Sequence, residues 1–306
     1  MSTSAGDVSH GNEIECHNDL QEFLCSLEDN PCLFQAERLQ ERLIALDSLD
    51  AEFGDFDTEA FANRTNSPIH GRAKALRIRF EAANAELYQS VRSEIVRSGR
   101  PDTLLQWLQN SANRHESGSP LPGMGFDWRD ELVSGILQFS EPGEPDLYQL
   151  SEMIPFQPTP VRHILHLITA SLLSEDDVFV DLGSGLGHVP LLVSMLAGVR
   201  SIGIEVQAAY VASAQECAQS LRLGRVQFVV ADARGADLSI GTVFYLYSPF
   251  KGSILTGVLS MLRSESMRRP IKICSLGPCT STVANETWLK TNSQPSTGCI
   301  AVFSSR

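Results

Sequence analysis

The sequence of 306 residues has no apolar run that approaches the roughly 18 residues needed to span a bilayer. Its first 19 residues are polar and acidic, and they lack both the basic and the apolar segment of a secretory signal. Aromatic residues make up only 7% of the chain, but hydrophobic residues make up 42%, which is enough for a sizeable core. We therefore expect a cytoplasmic globular protein without a membrane partner.

Cysteine is also scarce and irregularly placed. The seven cysteines are odd in number, and Cys16, Cys25 and Cys32 lack the short, regular spacing of zinc ligands. No pair of histidines follows them at a spacing that would complete such a site. The sequence therefore predicts reduced thiols, mostly buried, and no metal site.

Basic residues are equally scarce in both halves of the chain, but acidic residues are concentrated in the first half. Residues 1–150 contain 26 Asp and Glu against 12 Lys and Arg, a net charge of −14, whereas residues 151–306 contain 11 against 12, a net charge of +1. An acidic half repels phosphate backbones, so we do not expect a nucleic-acid partner.

The two halves also differ in the pattern of their apolar residues. In the first half, leucines recur three or four residues apart from Leu39 to Leu49, as on one face of a helix. In the second half, short apolar runs such as Val178–Leu182 alternate with helical patterns, which is typical of a parallel sheet covered on both faces. We predict an acidic all-helical domain over residues 1–147, for substrate selection or homodimerisation, and an α/β domain over residues 148–306.

The most informative motif lies in the second half, where the run VFVDLGSGLGH begins at Val178. An apolar strand ends at Asp181, and glycines follow at alternate positions before a helix, which permits a tight turn and a close backbone approach to a ligand. The spacing differs from the G-x-G-x-x-G of dinucleotide sites. Because Asp181 would repel a pyrophosphate and attract an amino group, a phosphate-free ligand fits this loop better.

An acidic residue followed by G-x-G-x-G resembles the first motif of the class I methyltransferases that use S-adenosylmethionine (SAM). Glu205, after the next strand, fits their ribose-binding acid, and Asp232, after the third strand, fits their adenine-binding acid. The alternatives are a merely structural turn, a nicotinamide or flavin site, and Asp237 in place of Asp232. The resemblance covers roughly residues 160–306 and implies a doubly wound, mostly parallel sheet of seven strands with a terminal antiparallel hairpin. It implies SAM as the cofactor, bound by Asp181, Gly183, Ser184, Gly185, Gly187, Glu205, Asp232 and Ala233.

In the same family, the segment after the fourth strand lines the pocket of the methyl acceptor. Here that segment ends in Ser248-Pro249-Phe250, which lacks one proline of the (Asp/Asn/Ser)-Pro-Pro-(Tyr/Phe) motif of many N-methyltransferases. The resemblance gives two sets of residues. The catalytic candidates are Tyr247, His188 and Ser248, and the candidate pocket residues are Thr159, Tyr245, Pro249 and Phe250.

Each of these residues also has a plain structural interpretation. Tyr245 and Tyr247 could be packed strand aromatics, and Thr159 could cap the helix that follows it. His188, His163 and His166 are candidates for a general base, but a lone histidine on a helix is more often structural.

The resemblance leaves three functions open. The first is methyl transfer to an unidentified acceptor, for which we expect a small molecule. The second is protein-lysine N-methylation, because Asp-Leu-Gly-Ser-Gly-x-Gly-x-Val is similar to the cofactor loop of the non-SET histone-lysine methyltransferases. The third is a SAM-binding or scaffold protein without catalysis.

Overall fold

The computed structural model describes residues 19–54, 68–99, 101–115, 125–142 and 152–306. Its contacts divide the chain into two compact units, Met1–Ser90 and Val91–Arg306. The domain boundary predicted after residue 147 falls within 143–151, outside the described residues, and stays a prediction. No helix in the described ranges combines the length and the apolar character that crossing a membrane would require.

The first unit is helical in its described parts. It contains α1 (19–28), two short 3₁₀ turns, α2 (Leu39–Phe53) and most of α3 (Pro68–Ser98), which continues past the end of the unit. Leu49, Leu76 and Phe80 are buried in its core, as the helical spacing predicts. Arg42 is also fully buried, and its guanidinium donates hydrogen bonds to the side chain of Asn84 and to carbonyls of the 3₁₀ segment.

The second unit is an α/β fold whose helices flank a single sheet. The helices are α4 (Asp102–His115), α5 (Trp128–Leu137), α6 (Val161–Ser171), α7 (His188–Ala197), α8 (Ala208–Ser220), α9 (Gly252–Ser266) and α10 (Cys279–Ala284). The strands are β1 (Val178–Leu182), β2 (Arg200–Glu205), β3 (Val226–Val230), β4 (Val243–Tyr247), β5 (Lys272–Leu276), β6 (Leu289–Lys290) and β7 (Ala301–Ser305).

The seven strands lie in the order β3-β2-β1-β4-β5-β7-β6. Strands β1 to β5 are parallel, and β7 runs antiparallel to both β5 and β6. This arrangement confirms the predicted fold class, including the terminal antiparallel pair. Since β1 lies between β2 and β4, the order of the strands reverses there, which is the place where open α/β sheets form a ligand crevice.

The carboxylate of Asp130 accepts hydrogen bonds at the starts of two helices, α5 and α6. Asp127 and Asp130 form a capping box at the start of α5, and Asp130 Oδ1 also accepts a hydrogen bond of 2.8 Å from the N–H of Val161, the first residue of α6. Burial raises the pKa of Asp130. The alternative in which Thr159 caps α6 is wrong, because the N-cap is Pro160 and no side chain of that position bonds the helix.

Candidate active site

A cavity of about 1000 Å³ opens at the carboxyl ends of the parallel strands. Its volume matches the upper range of natural small-molecule sites. The lining at the ends of β1, β2 and β3 carries three carboxylates, and we call it the acidic end: Asp181, Glu205 and Asp232. The lining at the ends of β4 and β5 and between β6 and β7 carries hydroxyl groups, and we call it the hydroxyl end: Tyr247, Ser248, Ser281, Thr282 and Thr297.

The glycine loop after β1 lies between these two ends. Gly183 has a φ of +87°, and a Cβ placed on it would lie 2.3 Å from Cβ of Pro249 in the loop after β4. Only glycine fits that backbone conformation and that close approach. Gly185 and Gly187 do not line the cavity, because the ring of Phe156 covers Gly185 and the ring of Phe228 packs on Gly187.

Glu205 ties the end of β2 to the glycine loop. Its Oε2 accepts a hydrogen bond of 2.9 Å from the N–H of Gly185, and its Oε1 accepts hydrogen bonds from the N–H groups of Val206 and Gln207. These three bonds hold a buried carboxylate in one orientation at the cavity wall. A carboxylate has about four acceptor positions, so one remains for a ligand.

Asp181 is the most unusual group of the acidic end. It is buried and accepts no hydrogen bond from any described residue, although it lines the cavity. Burial, with the negative charge of nearby Glu205 as a second cause, raises the pKa of Asp181 well above its ordinary value. Ser184, the neighbour of Gly183, is also buried at the cavity wall, and its Oγ has no partner among the described residues. Unpaired buried polar groups of this kind call for a ligand.

The third acid is held differently from the other two. Both oxygens of Asp232 bond Arg234, the shortest contact being 2.6 Å, and these bonds lower the pKa of Asp232. Its side chain is 40% exposed, and Ala233 beside it is buried. Asp237, the alternative candidate, accepts a hydrogen bond from the N–H of Ser239 and does not line the cavity.

His188 begins α7 directly after the glycine loop. Its ring packs against Phe139, with 4.6 Å between ring centroids, and against Phe156 at 6.4 Å. Burial lowers the pKa of His188 to about 4, so the imidazole is neutral at pH 7 and a weak base. His163 and His166 on α6 do not line the cavity.

Tyr245 and Thr159 contact each other at the wall of the cavity. The hydroxyl of Tyr245 and Oγ1 of Thr159 are 3.2 Å apart and both side chains are buried. Burial, more than any other cause, raises the pKa of Tyr245 well above its ordinary value, so its hydroxyl stays protonated. Both residues line the cavity, as predicted for the pocket, together with Pro249 and Phe250.

Ser248 joins the ends of β4 and β5. Its Oγ donates to the carbonyl of Leu276 at 3.2 Å and accepts from the N–H of Cys279 at 3.0 Å. Its φ of +41° is rare outside glycine, which marks a locally strained turn. Tyr247 before it is half-buried at the cavity, and burial raises its pKa. The catalytic roles predicted for Tyr247, Ser248 and His188 stay predictions.

Of the segment along the cavity, residues 152–159, which we call the strap, sequence reasoning named Thr159 for the pocket and missed the contacts of the residues before it. Met153 forms an antiparallel bridge with Phe250, and the N–H of Ile154 donates to the carbonyl of Pro249. The ring of Phe156 covers the glycine loop and packs on Tyr210, 5.4 Å between centroids. No local pattern marks these contacts, whereas the capping box of α5 could have been recognised from two acids three residues apart before an apolar run.

The strand order and the glycine loop after β1 define a doubly wound α/β fold, as the resemblance to class I methyltransferases predicted. Residues 158–228 match the family model "Histone methylation protein DOT1". The matched stretch begins in the strap and ends in β3, so it contains the glycine loop and Glu205 but not the strands of the hydroxyl end.

Three solved structures illustrate the similarity, each with a TM-score of 0.38. An RNA methyltransferase from Salinibacter ruber in complex with S-adenosyl-L-homocysteine (SAH) is 23% identical and covers 49% of this chain and 92% of that chain. A tRNA (uracil-54, C5)-methyltransferase from Pyrococcus abyssi, also with SAH, is 17% identical and covers 49% of this chain and 39% of that chain. A human methyltransferase 10 domain containing protein is 17% identical and covers 57% and 92%. No curated protein matches the sequence.

Proposed function

We propose that this protein is a SAM-dependent methyltransferase, with the cofactor bound at the acidic end and the acceptor at the hydroxyl end. The observation that carries the proposal is Asp181, a buried carboxylate at the wall of a ligand-sized cavity that accepts no hydrogen bond from the residues that the structure describes. A charge of that kind is costly unless a cation compensates it. The amino group of SAM would supply such a cation.

The residues present fit the cofactor in three further respects. Gly183 lines the cavity, Ser184 Oγ has no partner among the described residues, and Glu205 has an acceptor position left for a ribose hydroxyl. His188 is neutral and offers a hydrogen bond without a charge. Bound there, SAM supplies a methyl group on a sulfonium centre, which is activated for transfer to a nucleophile.

At the hydroxyl end, the chain orients an acceptor and excludes water. The strap and the loop 248–252 enclose this end, and Tyr247 offers a hydroxyl that stays protonated because burial raises its pKa. Tyr247 and Cys279 line this end, and burial raises the pKa of both. We therefore assign its main effect to alignment, for which effective molarities correspond to about 7–11 kcal/mol.

Two classes of acceptor follow from different observations. A small molecule is the first candidate, because the volume of about 1000 Å³ leaves room for one beside a cofactor. A protein lysine is the second, because of the match to the DOT1 family model. Incubation with SAM labelled in its methyl group, with a basic protein in one reaction and a mixture of small metabolites in another, would separate them by the mass of the labelled product.

Calorimetric titration with SAM and SAH tests the proposed cofactor site. Wild type should bind both, and Asp181→Ala and Glu205→Ala should each weaken binding by about 10-fold or more, the loss of one charge-assisted hydrogen bond. Glu175→Ala is the matched control, since Glu175 is an exposed acid of the same unit that does not line the cavity. Wild type that is folded by circular dichroism and binds neither ligand would overturn the proposal, and would leave a protein that acts through interactions on this fold.

A further inference from the structure

Glu152 lies at the start of the strap and contacts the first turn of α9. Its Oε2 accepts hydrogen bonds from Oγ of Ser253 at 2.7 Å and from the N–H of Ile254 at 3.1 Å. Its backbone carbonyl accepts a hydrogen bond of 2.9 Å from the N–H of Lys251. One residue of the strap therefore bonds Lys251, Ser253 and Ile254 at the start of α9 from about 100 residues away.

These hydrogen bonds cap the N-terminus of α9, whose own N-cap residue makes no capping bond with its side chain. The N-cap residue of α9 is Lys251, whose side chain makes no capping hydrogen bond. The first N–H groups of a helix need acceptors, and a negative charge there complements the helix dipole. Glu152 supplies both, and the pKa of Glu152 is lowered by its hydrogen bonds from Ser253 and Ile254.

The chain leaves space for this carboxylate at one position. Gly252 has a φ of +59°, and a Cβ placed on it would lie 2.2 Å from Oε1 of Glu152. Any side chain at residue 252 would push the carboxylate away from α9. The contact between Glu152 and α9 therefore requires a glycine at position 252.

The residues that follow Glu152 join the strap to the loop after β4. Directly after Glu152, Met153 bridges Phe250 and Ile154 bonds the carbonyl of Pro249. These four residues line the cavity, whereas Glu152 itself does not. A shift of the carboxylate would therefore move the walls without removing any group that touches a ligand.

We propose that Glu152 is a positioning residue that fixes the distance between the strap and the loop 248–252, and so shapes the acceptor part of the cavity. The inference rests on the proposed function for the identity of that part. Misplacement of a wall by about 1 Å can cost a methyl transfer about 10²-fold. Glu152 should therefore affect ligands that reach the hydroxyl end and spare those that stay at the acidic end.

Two analogues of SAM can test the two ends separately, even though the natural acceptor is not known. SAH has no group at the position of the transferable methyl, whereas sinefungin carries an amino group there. Their dissociation constants would be measured for wild type, Glu152→Ala, Glu152→Gln and Gly252→Ala, with Glu175→Ala as the control for loss of an exposed acid. Hydrogen–deuterium exchange of the peptides that contain Ile154 and Ile254 would report the contact itself in the same full-length proteins.

Glu152→Ala and Gly252→Ala should speed exchange in both peptides by about 10-fold or more, because the Ile254 and Ile154 amides lose their protection. Both variants should weaken sinefungin about 10-fold and SAH less than about threefold. Glu152→Gln keeps an acceptor without the charge, so it should recover most of the sinefungin affinity. Glu175→Ala should match wild type in every reading.

Equal losses of SAH and sinefungin would overturn the positioning role, because they would mean general damage to the cavity. Faster exchange with unchanged affinity for both ligands would also overturn it, since the contact would then not shape the site. If wild type bound neither ligand, the proposed function would fail, and the exchange data would still decide whether Glu152 holds the loop.

Discussion

The two ends of the cavity are built in different ways. The acidic end comes from one continuous stretch, residues 178–233, in which three strands place a glycine loop and three acids at their carboxyl ends. The hydroxyl end is bounded by segments far apart in the chain, which meet in contacts such as those of Thr159 with Tyr245 and of Met153 with Phe250. The acidic end thus depends on local backbone conformation, and the hydroxyl end depends on long-range contacts.

The two ends also differ in charge. All three carboxylates that line the cavity lie at the acidic end, whereas the described lining near the hydroxyl end carries hydroxyl groups, aromatic rings and the basic residue Lys251. A cationic cofactor is attracted to one end only, which leaves the other free for an acceptor. The substitutions below test this division, from the largest expected effect to the smallest.

Gly183→Ala should have the largest effect, because Gly183 is where the two ends touch. Its new Cβ would lie 2.3 Å from Cβ of Pro249, so the glycine loop and the loop after β4 must separate. We expect SAH to bind about 10²-fold more weakly, the equivalent of about 2.7 kcal/mol. Calorimetry would measure the affinity.

Gly198→Ala provides the matched control. Gly198 has a similar φ of +70°, but nothing lies within 4 Å of a Cβ placed there. It should lose about 1 kcal/mol of stability to backbone strain and keep its SAH affinity within about threefold. Equal affinities of the two alanine variants for SAH would contradict the close approach of the loops.

Asp181→Asn should weaken SAH by about 10- to 100-fold, since a hydrogen bond to a charged group is worth about 1.5–3 kcal/mol. The same change should stabilise the protein without ligand. A raised folded pKa means that the folded state binds the proton more tightly, so the wild type loses stability as pH rises from the ordinary pKa through the folded pKa. Asparagine does not titrate and avoids that loss.

Thermal unfolding at pH 8 and at pH 5 would check the sign. At pH 8 the melting temperature of Asp181→Asn should exceed that of wild type by about 2–4 °C, the shift for about 1 kcal/mol in a domain of this size. The difference should shrink at pH 5, where more of the wild-type carboxyl is protonated. A lower melting temperature than wild type at pH 8 would mean that Asp181 has a stabilising partner.

Thr159→Val should have a moderate effect through the hydroxyl of Tyr245, which would lose its buried partner. An unsatisfied buried hydroxyl costs about 1–3 kcal/mol. Urea unfolding of Thr159→Val, Tyr245→Phe and the double variant should give a non-additive cycle. Thr169→Val, on the exposed side of α6, should stay within about 0.5 kcal/mol of wild type. Additive losses in the cycle would argue against the bond.

Asp232→Asn should have the smallest effect. Its carboxylate is 40% exposed and already paired with Arg234, so its removal should change stability by less than about 1 kcal/mol. Asparagine keeps an oxygen acceptor, and we expect SAH affinity within about threefold of wild type. A loss above 10-fold in calorimetry would place Asp232 on a level with Asp181.

The same division explains what could be predicted from the sequence. The strands, their alternation with helices and the glycine loop depend on neighbouring residues, so the spacing around Asp181 and Glu205 was sufficient to locate them. The partner of Glu152 lies about 100 residues away, and no local pattern marks it. The motif after β4 made Ser248 a catalytic candidate, but its bonds to Leu276 and Cys279 depend on how β4 and β5 pair. The low pKa of His188 likewise depends on Phe139 and Phe156 around it, which only the fold brings together.

The most direct test of the central claim is the position of bound SAH in a crystal structure of the full chain. We predict that its amino group lies within hydrogen-bonding distance of Asp181 and its ribose within reach of Glu205, with the hydroxyl end left free for an acceptor. SAH bound at the ends of β4 and β5, or away from the cavity, would contradict the assignment of the two ends.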